Sequence, residues 1–444
     1  MKIKTLILLV TILSFSQGQS QDKKWTLQEC VEYALENNIT IKQSELNVEN
    51  ASIDKLEAIG NFVPSLSGSG TLSSNTGANI NPVTNAFETN TFTSFTTSVN
   101  MGVNLFDGLR NLRQLQRARI NKVLNQYNLA QSKDDIILLV ANSYLQVLLN
   151  KESLKVIEKQ HEITIEQLKR TKELVDAGVL PQGDLLEIEA TSADELTRIV
   201  QAENAVQISL ISLAQNLLIK DYEIFDIAEQ EYLVPTAEIL EKPINEIVNK
   251  ARQSRYEVQI AEQNTLIAKK DLQISRGSYY PTLSAFFGYN TRWADNDFLN
   301  RGFTEQLYEN DGFSYGLQLN VPILNGFASR SQVKRNKINV ERTAFQLEQA
   351  QLDLDSNVYQ AYLDAKASAE AYEAAQVSVK AQERAYDYAK DRYDVGLTNA
   401  FDFSQSKFRL ENAQSQEVQN KFDYIFKLKV LELYFGIRIA NIKL

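Results

Sequence analysis

From Thr26 to about Gly60, apolar and polar residues follow a helical spacing that Pro64 ends. The period then changes to two. Phe92 to Phe106 alternates, with Thr93, Phe95, Thr97, Val99, Met101, Val103 and Leu105 on one face and Ser94, Thr96, Ser98, Asn100, Gly102 and Asn104 on the other. Leu66 to Ser74 is a weaker strand of the same kind, and the second half of the chain holds cleaner ones. Leu283, Ala285, Phe287, Tyr289 and Trp293 alternate with Ser284, Gly288, Asn290 and Arg292, and Phe313 to Ile323 alternates with Ser314, Gly316, Gln318, Asn320 and Pro322. Between these strand pairs the helical pattern returns at unusual length. Nothing interrupts it from about Arg110 to Val175, which at 1.5 Å per residue is about 100 Å of helix. Val140, Val147, Leu154, His161, Leu168 and Val175 fall every seventh residue, as do Val358, Ala365, Tyr372, Val379, Tyr386 and Tyr393 later on. Ala361 and Ala375 lie three residues beyond two of these, so helices can approach closely along a coiled-coil seam.

The same patterns occur twice in one order. Leu27, Glu29, Val31 and Ala34 return 217 positions later as Ile244, Glu246, Val248 and Ala251, and Pro64-Ser65-Leu66 returns as Pro281-Thr282-Leu283. After one inserted residue the offset is 218: Leu105-Phe106-Asp107-Gly108 returns as Ile323-Leu324-Asn325-Gly326, Gly178 as Gly396 and Asp184 as Asp402. The chain reads as two tandem copies, 21–235 and 236–444, joined near Pro235 to Pro243. In each copy a short turn links two long helices, Asp176 to Asp184 and Asp394 to Asp402. Gly178 and Gly396 suit a left-handed C-cap, and Asp184 and Asp402 cap or charge the start of the next helix. Val179, Leu180 and Leu397 put apolar side chains at these tips, with nothing nearby in sequence to bury them.

Composition removes other classes. With 46 basic against 56 acidic residues, a net charge of -10 supplies no field for phosphate backbones, so no nucleic-acid partner is expected. One cysteine, Cys30, closes no disulfide within the chain, and one histidine leaves no zinc set. Cys30 reads as a small buried residue and His161 as packed on the seam. No metal, cofactor or catalytic triad is expected, and an enzyme is disfavoured. Lys2 and Lys4, the apolar run Leu6 to Leu13, and Gly18 and Ser20 before Gln21 read as an export signal over residues 1–20.

The strands admit two readings. One is a soluble sheet with one face on a core, the usual antiparallel arrangement. The other is a piece of transmembrane barrel, favoured by export, by uncharged apolar rows and by Tyr289, Trp293 and Tyr315 along them. Four strands do not close a membrane barrel, the smallest having about 8 strands with a filled interior. Oligomerisation is then required; a dimer leaves little lumen, whereas a trimer opens a duct.

The two copies, the Pro-Ser/Thr-Leu entry to the first strand, the Leu-Phe-Asp-Gly exit from the second and the Gly-centred tips together resemble the TolC-like outer-membrane efflux proteins of double-membraned bacteria. The resemblance covers essentially the whole mature chain. It implies an α+β membrane protein whose four strands per chain build a trimeric twelve-stranded barrel, continued by a long periplasmic coiled-coil barrel. It implies an exit duct in the outer membrane and periplasm, in contact with outer-membrane lipid, docked on a periplasmic adaptor and through it on an inner-membrane RND or ABC transporter. The docking positions matched are Ala177, Gly178 and Val179 with Leu180 beside them, and Val395, Gly396 and Leu397. Asp184 and Asp402 match acidic residues of a periplasmic constriction, and Tyr393 the tyrosine of a closing latch. Thr398 stands where some members carry a basic latch partner, and Gln405 where some carry a second acidic ring. The alternative is the adaptor itself, which would show one helical hairpin and soluble lipoyl-like and barrel domains rather than two copies with membrane-type strands.

Overall fold

The computed structural model describes residues 24–80, 85–229, 238–297 and 299–437. The expected export signal and Pro235 lie outside the described residues.

Each copy opens with two helices rather than one. In the first, α1 (Leu27–Asn37) starts at a capping box: Thr26 Oγ1 accepts from the Glu29 N–H at 3.3 Å, and the Glu29 carboxylate accepts from the Thr26 N–H at 2.9 Å. It ends at Asn38, whose extended backbone breaks the pattern and whose Oδ1 accepts from the Thr40 N–H at 2.8 Å, starting α2 (Ile39–Gly60). In the second copy α5 (Ile244–Ser254) follows Pro243, breaks at extended Arg255, and continues as α6 (Tyr256–Gly277). The repeat places like side chains inside: Cys30, Val31 and Ala34 on α1, and Ile247, Val248 and Ala251 on α5.

The long hairpins match in length. α3 (Arg110–Asp176) and α8 (Ala328–Asp394) each have 67 residues, and α4 (Gln182–Asn216) and α9 (Ala400–Tyr434) each have 35. The seam on α8 is buried at Val358, Ala365, Val379, Tyr386 and Tyr393, with Ser368 and Ala375 filling the alternate positions. On α3 the apolar seam holds at Val140, Tyr144 and Val147 and then turns polar, through buried Gln160, Thr164, Gln167 and Thr171. His161, expected on the seam, lies beside it, with Gln160 taking the buried place.

The strands are longer than expected in the first copy and shorter at one end in the second. β2 (Ser65–Ile80) and β3 (Phe87–Phe106) pair antiparallel, as do β5 (Thr282–Ala294) and β6 (Gly312–Asn320), and β3 pairs β5, giving the order β2-β3-β5-β6. β6 stops at Asn320 instead of Ile323, because Pro322 has no N–H to give a ladder. The register puts Leu72 opposite Phe95, Val99 opposite Tyr289 and Phe287 opposite Tyr315, so one apolar face runs across all four strands. That face is bare: Leu66, Leu72, Phe313, Tyr315, Leu317 and Leu319 are all exposed. The other face is hydroxyl-rich, with Ser69 and Ser98 bonded across it at 2.9 Å. A sheet lying on its own core does not look like this. One helix absent from the expected pattern, α7 (Phe303–Glu309), packs Phe303 against Phe95 and Trp293 at one end of the sheet.

Two further short strands, β1 (Lys24–Trp25) and β4 (Asp226–Ile227), pair in parallel. The chain forms two compact units, and each draws on both copies: one holds the described residues up to 45, 129–258 and 351 onward, the other 46–128 and 259–350. No helix among the described residues is long and apolar enough to cross a membrane.

Candidate functional site: the helix-joining tips

Both tips are closed by the same backbone device. At the first, the Val179 N–H donates to the Leu174 carbonyl at 2.8 Å and the Gly178 N–H to the Val175 carbonyl at 2.9 Å. At the second, Leu397 donates to Arg392 at 2.8 Å and Gly396 to Tyr393 at 3.0 Å. This pair of hydrogen bonds is the Schellman motif, and it requires the left-handed backbone that Gly178 and Gly396 both supply at φ +73. A Cβ on either glycine would meet nothing within 4 Å, so conformation, not crowding, selects glycine here.

The aspartates are not N-caps. Pro181 and Asn399 hold those places, and Asn399 Oδ1 accepts from the Asp402 N–H at 2.8 Å. Asp184 and Asp402 instead lie in the first turns, where a carboxylate complements the helix dipole. They differ in surroundings. Asp402 is exposed and accepts from Thr398 Oγ1 at 3.2 Å, whereas half-buried Asp184 reaches the Ala400 N–H at 3.4 Å, joining the two tips. Gln405 is exposed.

Beneath the tips lies a small core of Ile188, Tyr386, Tyr393, Ala400, Phe403 and Leu410. Tyr393 is fully buried, stacks on Phe403 with centroids 5.1 Å apart, and shares a 3.0 Å hydrogen bond with Thr171. Burial pushes its phenol upward against the Thr171 hydrogen bond, and burial with nearby carboxylates takes Tyr386 up to about 12. Leu180 packs against this core, which corrects the expectation that it is free. The apolar residues left open are Val179, Val395 and Leu397, each about two-thirds exposed, and with them Phe401, which the sequence reading missed.

A second omission lies on α9. Its inward row Ala400, Phe403, Lys407 and Leu410 contains a lysine at a core position. Lys407 Nζ donates to Glu195 Oε1 at 2.6 Å, to the Gln160 carbonyl at 2.5 Å and to Thr164 Oγ1. Next to it the Arg198 guanidinium makes a two-pronged pair with buried Glu411, and His161 Nδ1 lies 3.3 Å from Glu195. A lysine within a 3-4 spaced apolar row was the available signal.

The family model described as "Outer membrane efflux protein" matches the chain twice, over residues 30–217 and 247–436. Among curated proteins, the outer membrane protein TolC of Vibrio cholerae is 26% identical over 307 residues, covering 68% of each chain. The Escherichia coli TolC is 22% identical over 298 residues, 65% of this chain and 59% of that protein. The fold matches the Campylobacter jejuni CmeC outer membrane channel at a TM-score of 0.80 with 16% identity, over 94% of this chain and 87% of the other. It also matches the Neisseria gonorrhoeae MtrE outer membrane channel in its open state at a TM-score of 0.72 and 16% identity, over 92% and 88%. Two copies of one pattern, each matched from its opening helices to the end of its hairpin, therefore place the chain in the outer membrane, and it belongs to the outer membrane efflux protein family.

Proposed function

We propose that this protein is the exit duct of a tripartite efflux or type I secretion assembly, in which three chains close one twelve-stranded barrel. The observation that carries this is the sheet: four strands with a largely bare apolar face, a hydroxyl-rich face, and two edge strands, β2 and β6, each paired with a strand on one side only among the described residues. An apolar face of that extent needs lipid, and open edges need closure. Twelve strands leave a water-filled lumen where about 8 would be filled by side chains.

The tips are the docking surface for a periplasmic adaptor, through Val179 beside Gly178 and through Val395, Gly396 and Leu397. The adaptor couples the duct to an RND or ABC transporter in the inner membrane, which supplies the energy, while the duct conducts passively. Asp402, with Asp184 behind it, forms the carboxylate ring of the periplasmic mouth. Buried Tyr393 holds the tips of α3 and α8 together in the closed arrangement, its hydroxyl on Thr171. Residues 1–20 direct export and are removed after Ser20.

The test is mass measurement and planar-bilayer recording of the detergent-solubilised mature protein. Three chains per particle and a cation-preferring conductance are expected; a conducting monomer would sink the reading.

A further inference from the structure

The apolar face of the sheet ends at a definite level. From Leu283 to Trp293, β5 rises about 25 Å at about 3.3 Å per residue and a tilt of about 40°, the height of an apolar barrel band. Tyr279 and Tyr280, both exposed, stand just before it at the α6 end. At the far end Phe95 stands opposite Trp293. Past Phe95 the same face turns to hydroxyls, with Thr93 opposite Ser74 and Thr91 bonded to Thr76 at 2.8 Å.

Helix α7 sits at that level and on that face. β6 begins at Gly312, opposite Asn290, so Thr291 to Ala294 of β5 have no strand on that side. α7 takes its place. The buried Gln306 amide donates to the Ala294 carbonyl and accepts from the Ala294 N–H, both at 2.9 Å, as a neighbouring strand would. Asn310 Nδ2, just after the helix, donates to the Arg292 carbonyl at 2.9 Å. Thr291 Oγ1 donates to the Leu307 carbonyl at 2.6 Å, and the Phe303 ring lies 5.9 Å from Phe95 and 5.6 Å from Trp293, centroid to centroid. Thr291, Phe95 and Trp293 all belong to the apolar face, so α7 is held on that side of the sheet and not over the hydroxyl-rich one. Arg301, ahead of the helix, pairs with Asp297 at 2.6 Å and with Glu309 at 2.7 Å, so two of the segment's carboxylates have a counter-ion at hand. Large side chains nevertheless stay open beside polar Thr304 and Glu305: Leu299 is 66% exposed, Phe303 48% and Tyr308 86%.

We propose that α7 is an interfacial helix, lying at the boundary between acyl chains and headgroups in the outer leaflet, with Phe303 and Tyr308 against lipid. Lipid is the occupant because the patch continues the bare face through Phe303 on Trp293, and because a mixed apolar and polar segment at the end of an apolar band suits that boundary. The leaflet is the outer one, since α7 lies at the end of the sheet away from α6 and α8, which lead toward the periplasm. Pinned by Gln306 and Phe303, the helix fixes the height at which the sheet rides in the membrane. The inference rests on the reading of the bare face as lipid-facing, and adds to it where the boundary lies and which residues meet it.

Single nitroxide labels on the full-length protein in phosphatidylcholine vesicles test it, because the one native thiol, Cys30, is buried and escapes labelling. Collisions with oxygen report lipid, and collisions with a water-soluble nickel chelate report water. Phe287→Cys, on the bare face, should give a high ratio of oxygen to nickel collisions, and Asn100→Cys, on the opposite face, a low one. Tyr308→Cys should fall between them, several-fold above Asn100→Cys. A Tyr308→Cys ratio equal to that of Asn100→Cys, or a label that neither reagent reaches because another part of the protein covers it, overturns the interfacial helix and leaves the duct standing. A low ratio at Phe287→Cys overturns the lipid-facing reading itself.

Discussion

Gly178 and Gly396 carry the tips through backbone geometry alone, since both sit at φ +73 with open space around them. Gly396→Ala should therefore cost about 1 kcal/mol of stability, the left-handed penalty of a side chain, and leave efflux near normal. Gly396→Asp or Leu397→Asp should abolish efflux with oligomer and expression unchanged, because docking would strip water from a new charge. Gly178→Asp should act in the same direction but less completely, since Leu180 on that side is turned into the core. Resistance assays alongside membrane levels of the oligomer separate these outcomes. Asp402→Asn leaves the Asn399 cap intact, so melting should shift by only a few tenths of a kcal/mol. A loss of cation preference in bilayer recordings then reports the carboxylate itself, and unchanged preference removes Asp402 from the constriction. Lys407 is the costly residue. Lys407→Met leaves buried Glu195 without its ammonium and should cost about 3–5 kcal/mol, less whatever His161 repays, whereas Lys407→Met with Glu195→Leu should recover most of it. Burial holds the Lys407 pKa below its usual 10.5 against the pull of Glu195, so the unfolded chain keeps this proton longer. Stability from this site therefore rises with pH between the lowered value and 10.5, and at lower pH the cost of the buried charge is present in full. Chemical unfolding of wild type and the double variant across alkaline pH should show that rise only in the wild type.

Each element was legible in proportion to how strictly it repeats. The α8 seam keeps a seven-residue period from Val358 to Tyr393, and five of its six positions are buried, with Tyr372 half-buried. Ala365 is fully buried there, so Ala365→Leu should overpack the seam and cost about 1–3 kcal/mol in thermal unfolding. On α3 the same period misplaced His161, because the buried row drifts by one position as Gln160, Thr164, Gln167 and Thr171 replace apolar residues. A 3.6-residue helix slips about 20° per heptad against a strict seven, so a long seam changes columns. The break at Asn38 was hidden for another reason: α1 and α2 share one spacing, and a single extended residue separates them. At the paired strands β1 and β4, Lys155 and Lys151 draw the Glu229 carboxyl down to about 2. Its stabilisation is fully present above the ordinary carboxylate value of 4.5 and fades between there and about 2. Because Glu229 is well exposed, Glu229→Gln should cost less than about 1 kcal/mol at neutral pH, with no further loss on acidification.

For the whole molecule, the sequence by itself determined the two copies, their offsets, the long hairpins and the glycine tips. These are properties of local period and of backbone conformations that few residues adopt. It also held both faces of every strand, yet left open whether the apolar one met a core or lipid. Register decided that, by aligning Leu72, Val99, Phe287, Tyr315 and their neighbours into one exposed apolar surface across four strands, which no single strand's alternation reveals. Only the tertiary structure separated Leu180 from Val179 and Leu397, because exposure at a tip depends on how neighbouring helices pack beneath it. Only it found Lys407 beside Glu195 and Thr171 beside Tyr393, partners 212 and 222 residues apart in the chain. Sequence period is a local quantity fixed by 3.6 and 2.0 residues per repeat, whereas contact between distant segments is set by how the elements pack, which period does not encode.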